Sequence, residues 1–183
     1  MISAYIDTSA ILATYIPNDP HSASCRKFFE ETEIEKLASS LSMLELSCIF
    51  SRLLEANEVE VPPQIEALLK ELSNEENVQA LVEYAITNCK LRIVDVDPIP
   101  MTVSLIGSPI KISHIYLKAL ELASKLRLKT LNTLHLAHIL CLKDEGMQIE
   151  YLVTDDKEIL ARGDRISGML KSRVLSSEET FTL

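Results

Sequence analysis

The chain has 183 residues, of which 47% are hydrophobic, and its formal net charge is -9 at pH 7. This length fits one domain with a sizeable core, and the apolar fraction excludes an intrinsically disordered chain. The acidic balance argues against broad, sequence-independent binding to nucleic-acid phosphates, which relies on Lys and Arg.

The N-terminus predicts a buried β-strand that ends at a carboxylate. Residues 2–6 are almost all apolar, and Asp7, Thr8 and Ser9 follow them, before a helical segment. Ligands of open α/β sheets bind at the carboxyl ends of the strands, so Asp7 is a candidate site residue. The structural alternative is that Asp7 caps the following helix, as Asp commonly does.

A second acidic residue lies near the start of a later helix. A helix from about Ser22 and a second strand at 37–40 come first, and a helix then runs from Ser42 to about Ala56. This helix begins with S-x-x-E, so the structural interpretation of Glu45 is a capping box with Ser42.

Residues 62–89 predict a helical arm added to a single domain that spans 1–183. Pro62 and Pro63 open its first helix, and Asn74 caps its second.

The next segment returns to the predicted sheet. Residues 90–96 form a third strand, and the stretch from there to Ile110, which contains several prolines, is predicted as a loop. A helix from about Ser113 buries Leu120 among other apolar residues, and a further helix begins near Lys129.

The last part of the chain supplies the remaining acids. A fourth strand at 149–154 leads directly into Asp155 and Asp156, and a short helix at 158–161 and a strand at 173–175 follow. Because short apolar strands alternate with helices, we expect an α/β fold with a central parallel sheet covered on both faces.

The sequence also predicts a cytoplasmic protein that does not enter a membrane. It has no run of about 18 uncharged apolar residues, and Asp7 and Asp19 interrupt the stretch where a secretory leader is apolar. The cysteines have no C-x-x-C spacing and lie in or beside helical apolar patterns. This favours buried thiols over a zinc site or disulfides.

A doubly wound sheet would bring the acids together. If the first and fourth strands are neighbours, Asp7, Glu45 and Asp156 meet at one crevice. Clustered carboxylates raise one another's pKa by repulsion, so such a cluster requires a cation. Oxygen ligands favour Mg²⁺ or Mn²⁺, and a hard cation beside an open groove suits phosphodiester hydrolysis.

Four motifs, in order along the chain, resemble those of PIN-domain ribonucleases, especially the VapC-like toxins of toxin-antitoxin pairs. They are Tyr5-Ile6-Asp7-Thr8-Ser9-Ala10, Ser42-Met43-Leu44-Glu45, Asn132-Thr133-Leu134-His135-Leu136-Ala137 and Leu152-Val153-Thr154-Asp155-Asp156. The closing segment 174–179 also resembles that family's last strand and tail. The resemblance implies a three-layer α/β/α domain around a parallel sheet of order 3-2-1-4-5.

The resemblance further implies a metal-dependent endoribonuclease that uses Mg²⁺ or Mn²⁺. Its catalytic acids are Asp7, Glu45 and Asp156, and the metal ligands include these three with Asp155 and Asn132. Thr8, Ser9 and Thr154 are expected to support the site.

One of the four motifs departs from the family. The family has Asp where this chain has Asn132, and Asn keeps a carbonyl oxygen but contributes no negative charge. A rival function is therefore a catalytically silent PIN scaffold that binds a protein or RNA partner. A third interpretation, a flavodoxin-like or receiver-type α/β module, fits the sequence less well, since it has no place for Glu45 inside a helix or for the T-x-D ending.

The expected partners are RNA, an antitoxin protein and a second copy of the chain in a homodimer. Arg127, Lys129 and Lys157 flank the Asn132 and Asp156 motifs, where they would bind RNA phosphates; the alternative is a solvated helix face. We interpret His135, which lies among apolar residues, as a packing residue.

Overall fold

A computed structural model describes residues 2–56, 58–61, 63–105 and 107–182. Within these ranges a parallel sheet of five strands has the order β3-β2-β1-β6-β7, and β4 and β5 form a separate antiparallel hairpin. The strands are β1 (Ser3–Ile6), β2 (Glu35–Ala38), β3 (Leu91–Ile93), β4 (Pro100–Leu105), β5 (Ser108–Ser113), β6 (Tyr151–Val153) and β7 (Arg173–Leu175).

The hairpin is the main difference from the predicted sheet. Residues as far as Ile110 were expected to form a loop, and that prediction is wrong for this segment. Apolar Met101 and Val103 pair with Ile112 and Ile110, and Gly107 has a φ of 80°, which suits a tight turn. Because these two strands lie between β3 and β6 in the chain, the order differs from the predicted 3-2-1-4-5.

Helices connect the strands and match most of the predicted segments. The helix α9 was not predicted. The helices are α1 (Thr8–Leu12), α2 (Ser22–Glu31), α3 (Ser40–Ala56), α4 (Pro63–Leu69), α5 (Asn74–Asn88), α6 (His114–Leu126), α7 (Thr130–Asp144), α8 (Lys157–Leu160) and α9 (Gly163–Leu170), with a 3-10 helix at Glu179–Thr182.

Two predicted helix starts are corrected. Helix α3 begins before Ser42, which therefore lies inside the helix and cannot cap it. Helix α5 is capped by Ser73 rather than by Asn74. The Ser73 side chain accepts a hydrogen bond from the Glu76 amide, and the Glu76 side chain accepts one from the Ser73 amide, which together form a capping box. The expected role of Pro62 lies outside the described residues.

Strand β1 organises the core because its side chains alternate between two apolar clusters. Ala4 and Ile6 pack in one cluster with residues of α1, α2, α3 and α5, whereas Tyr5 packs in the other with residues of α6, α7 and α9. In the region predicted as a helical arm, α5 contributes Leu81 and Val82 to the first cluster.

The structure also tests the predictions made for Leu120, for the cysteines and for membrane-spanning segments. The side chain of Leu120, predicted to be buried, is 53% exposed. All four cysteines are free; Cys48 is exposed and the other three are buried. None of the described helices has the length and apolar character needed to cross a membrane.

Candidate active site at the carboxyl edge of the sheet

The site is built where β1 and β6 end side by side. These two strands are parallel neighbours with Ile6 opposite Val153, and the amide of Asp7 donates to the Val153 carbonyl at 2.9 Å. Asp7 therefore follows the last residue of β1 directly beside the end of β6, as the sequence predicted. Its side chain is only 6% exposed.

Two hydroxyls hold one oxygen of the Asp7 carboxylate. Oδ2 accepts a hydrogen bond from Ser9 at 2.5 Å and another from Thr154 at 2.8 Å. Ser9 and Thr154, which were predicted to support the site, both hydrogen-bond to Asp7. Asp7 precedes α1 but makes no side-chain cap, so its structural alternative is wrong.

Glu45 reaches the same site from the first part of α3. Its Oε2 accepts a hydrogen bond from Thr8 at 2.5 Å and lies 2.6 Å from Nε2 of His135. Thr8 was expected to support Asp7, and it supports Glu45 instead because α3 passes over the start of α1. The capping-box interpretation of Glu45 is likewise wrong.

His135 is the residue whose role sequence reasoning underrated. Its side chain is 1% exposed, and Nε2 lies between Glu45 at 2.6 Å and Oδ1 of Asp7 at 4.0 Å. The ring is thus a hydrogen-bonding partner of the site rather than packing alone. Its position three residues after Asn132 on one helix face was the signal available in the sequence.

The other ring nitrogen of His135, Nδ1, contacts side chains that are buried in the core. It lies 2.9 Å from the hydroxyl of Tyr5, which in turn lies 2.7 Å from the hydroxyl of Ser39. Tyr5 and Ser39 are both fully buried. Sequence reasoning missed Tyr5, although strand alternation places it on the same side of β1 as Asp7.

Burial and charge shift the pKa values of this pair in opposite directions. Burial alone would lower the pKa of His135, but the hydrogen bond to Glu45 and the charges of Asp7 and Glu45 raise it above its usual value. Burial alone would raise the pKa of Glu45, but His135 and the Thr8 hydroxyl lower it below its usual value. The pair therefore favours the charged form of both groups.

Asp156 and Asp155 are adjacent in sequence but differ in their contacts. Oδ1 of Asp156 caps α8 by accepting from the amides of Glu158 and Ile159, and its charge acts on Glu45 to raise the pKa of that residue. Asp156 therefore belongs to the electrostatic environment of the site.

Asp155 is held by a different part of the molecule. Oδ1 accepts from the amide of Ser177 at 3.0 Å and from its hydroxyl at 3.1 Å, and Oδ2 accepts from the Cys25 thiol at 3.2 Å. Both oxygens are thus occupied by α2 and the C-terminal segment. The structure does not bring Asp155 into contact with Asp7 or Glu45.

Asn132 is buried at the start of α7, with 9% of its surface exposed. Its Nδ2 has no hydrogen-bond partner within the described part of the chain. It lies one helical turn before His135 and so on the same face of α7. An unpaired buried amide is unusual, and this one lies beside a site rich in acceptors.

The predicted RNA-binding residues are solvent-exposed. Arg127, Lys129 and Lys157 all lie on the surface, and Nζ of Lys129 is 3.9 Å from Glu158, in the helix that Asp156 caps. Lys129 therefore lies near the carboxyl edge of the sheet.

The acidic side chains carry oxygen donors of the kind that hard cations prefer, but these donors do not converge on one point. Among the described residues no group of three or more His, Cys, Asp or Glu side chains is placed to hold a metal ion. Oδ1 of Asp7, Oε1 of Glu45 and Oδ2 of Asp156 make no hydrogen bond within the described ranges. Free carboxylate oxygens are the ligands that Mg²⁺ and Mn²⁺ prefer.

Comparison with known proteins adds no family assignment. No protein-family model matches the chain, and no curated protein matches it either. The resemblance to PIN-domain ribonucleases therefore stays a prediction from the four short motifs.

The His135 and Glu45 pair predicts a specific dependence of stability on pH. Because the folded pKa of His135 is raised above 6.5, its stabilisation is complete below about pH 6.5 and is lost as pH rises through the folded pKa. Because the folded pKa of Glu45 is lowered below 4.5, its stabilisation is present above about pH 4.5 and is lost as pH falls through the folded pKa.

Urea unfolding of wild type and His135→Gln across this range provides the measurement. The stability difference between them should shrink as pH rises above 6.5. The charge of His135 also acts on the pKa of His138, which burial lowers, so both proteins are compared in a His138→Leu background. A difference that stays constant or grows above pH 6.5 would contradict the assignment.

Proposed function

We propose that this protein is a metal-dependent endoribonuclease that hydrolyses RNA phosphodiester bonds with Mg²⁺ or Mn²⁺. The observation that carries the proposal is the convergence of Asp7, from the end of β1, and Glu45, from the first part of α3, on the single ring of His135. The two carboxylates repel each other, and the oxygen of each that makes no hydrogen bond within the described residues would serve as a ligand for a cation.

The residues of the site have distinct parts in this function. Asp7, Glu45 and Asp156 would hold the cation, with the carbonyl oxygen of Asn132 as a neutral fourth ligand. When bound, the cation would polarise a phosphoryl oxygen, activate water and stabilise the leaving oxyanion. Asp155 is removed from the proposed ligands because both of its oxygens are occupied.

The remaining side chains prepare the carboxylates and attract the substrate. Ser9 and Thr154 fix the orientation of Asp7, and Thr8 fixes that of Glu45. Lys129 and Lys157 are exposed near Asp156, where they would contact RNA phosphates; exposed cations there would offset the overall acidic charge locally.

The proposal extends to the context of the protein. It includes a single three-layer α/β/α PIN-like domain in the cytoplasm, acting as the toxin of a toxin-antitoxin pair with an antitoxin protein as partner. These parts are supported by the four sequence motifs and by the parallel sheet with helices.

A specific observation favours a second candidate, a catalytically silent PIN scaffold that binds a protein or RNA partner. Asn132 replaces an anionic ligand, and within the described residues no three acids surround one point. Losing even an outer-sphere partner typically lowers metal affinity or activity about 10- to 100-fold. The two candidates differ in whether wild type cleaves RNA at all.

The first test is cleavage of a labelled single-stranded RNA pool by wild type and Asp7→Asn. We expect Asp7→Asn to lower the rate at least about 100-fold, since it removes a direct ligand rather than an outer-sphere one. Asp164→Asn, an exposed carboxylate in α9, is the matched control and should cleave normally. Equal rates for Asp7→Asn and wild type, or cleavage that persists in EDTA, would refute the proposal.

The second test restores the missing charge with Asn132→Asp. Without metal the new carboxylate should lower the melting temperature, because it adds repulsion to an acidic cluster. Mn²⁺ should then raise the melting temperature more than in wild type, through preferential binding to the folded state, and cleavage should rise.

Asn74→Asp is the control, since it adds the same charge at an exposed position on α5. If Asn132→Asp shows no larger Mn²⁺ response than wild type, Asn132 is not a ligand position. If its Mn²⁺ response grows while RNA cleavage stays absent, the silent scaffold is favoured.

The third test concerns the proposed homodimer. The hairpin and α6 contact each other, and their exposed apolar side chains lie outside both core clusters. They include Met101 and Ile110 on the hairpin and Tyr116 and Leu120 on α6. An exposed apolar patch of about several hundred Å² favours association.

Gel filtration with light scattering should give about twice the chain mass of 20.5 kDa. Tyr116→Lys should shift this mass toward that of one chain. Leu68→Lys, at an exposed apolar position on α4, should leave the dimer intact. A wild-type mass of one chain at all concentrations would refute the dimer.

A further inference from the structure

We propose that His135 is a positioning residue for Glu45 and that Tyr5 fixes the orientation of its ring. The juxtaposition is a buried series of hydrogen-bonded side chains that runs from Ser39 through Tyr5 and His135 to Glu45. The consequence for metal binding rests on the proposed function, whereas the hydrogen bonds do not.

Both nitrogens of His135 are used, which fixes the plane and the direction of the ring. Nδ1 lies 2.9 Å from the Tyr5 hydroxyl, and Nε2 lies 2.6 Å from Oε2 of Glu45. Burial raises the pKa of Tyr5, so its hydroxyl keeps its proton; it donates to Nδ1 of the neutral ring and accepts from Nδ1 of the protonated ring. In both charge states of His135, Nε2 carries the hydrogen that Glu45 accepts.

The two carboxylates of the site are held by the same arrangement of contacts. In Asp7, Ser9 and Thr154 both donate to Oδ2, and in Glu45, Thr8 and His135 both contact Oε2. In each case two protein groups hold one oxygen, and the other oxygen makes no hydrogen bond with the residues that the structure describes. Hydrogen bonds of this kind orient ligating carboxylates and are a common determinant of metal affinity.

Glu45 depends on such contacts more than Asp7 does. Its side chain has an additional rotatable bond, and it approaches the site from a helix rather than from a strand end. Thr8 alone would fix one contact, whereas Thr8 and His135 together fix the direction of the carboxylate. The free Oε1 is then directed by the hydrogen bonds at Oε2.

His138 is a second buried histidine on the same face of α7, but it does not contact Glu45 in the described part of the chain. It lies one turn after His135 on α7 and is 5% exposed. Its Nε2 lies 3.4 Å from Asp95, and it makes no contact with Asp7 or Glu45 within the described contacts. His138→Leu is therefore a matched control for His135→Leu.

The first measurement is Mn²⁺ affinity, read from the electron paramagnetic resonance signal of free Mn²⁺. We expect His135→Leu to weaken binding about 10- to 100-fold, and His135→Gln, whose amide can replace Nε2 as donor, to stay within a few-fold of wild type. His138→Leu should bind as wild type does. Equal loss in His135→Gln and His135→Leu, or the same loss in His138→Leu, would overturn the proposal.

The second measurement requires neither metal nor a variant of His135. In protein labelled with ¹⁵N at histidine, the Nε2 proton of His135 should give an exchange-protected, downfield NMR signal. Glu45→Gln and Tyr5→Phe should each shift this signal further than His138→Leu, which removes a ring that packs against Tyr5. An absent signal in wild type, or one that Glu45→Gln does not move, would overturn the proposal.

The two measurements separate this inference from the proposed function. If the NMR signal behaves as expected while wild type binds no Mn²⁺, the metal-dependent function fails and the positioning of Glu45 stands. If wild type binds Mn²⁺ while the NMR signal is absent or insensitive to Glu45→Gln, the function stands and the positioning role fails.

Discussion

The hydrogen bond between His135 and Glu45 is the interaction on which the site depends. Asp7 and Glu45 are carboxylates in a largely buried location, where like charges repel and each loses hydration. A ring nitrogen 2.6 Å from Glu45 and 4.0 Å from Asp7 offsets that repulsion in the metal-free protein. The three hydroxyls of Thr8, Ser9 and Thr154 supply the remaining donors.

This interaction also links the elements around the sheet. Tyr5 belongs to β1, Glu45 to α3 and His135 to α7, and the three meet only if both helices pack against the carboxyl end of β1. Buried polar networks are costly when incomplete, because each unpaired group loses its hydration without compensation. The Tyr5 hydroxyl is paired on both sides, by Ser39 and His135, so it avoids that cost. Among the described residues, Nδ2 of Asn132, the Ser42 hydroxyl and both ring nitrogens of His138 are buried without a hydrogen-bond partner.

The adjacent acids Asp155 and Asp156 show how one strand end serves two purposes. Asp156 caps α8 and adds its charge to the site, whereas Asp155 joins Ser177 and Cys25 and so connects α2 with the C-terminal segment. His21 lies 3.7 Å from Asp155 and adds to this second group. One carboxylate therefore acts in the electrostatics of the site, and its neighbour stabilises the surrounding fold.

The sequence by itself determined the parallel strands, the position of Asp7 at the end of the first, and the helical segment that carries Glu45. These follow from apolar periodicity and strand length, which are local properties. Tertiary structure decided which donor serves which acid. Thr8 hydrogen-bonds to Glu45 rather than to Asp7, Asp155 binds residues outside the site, and His135 contacts the site. Each of these contacts depends on how the helices pack over the sheet. The hairpin and the exposure of Leu120 were decided in the same way, since pairing and burial are set by distant segments.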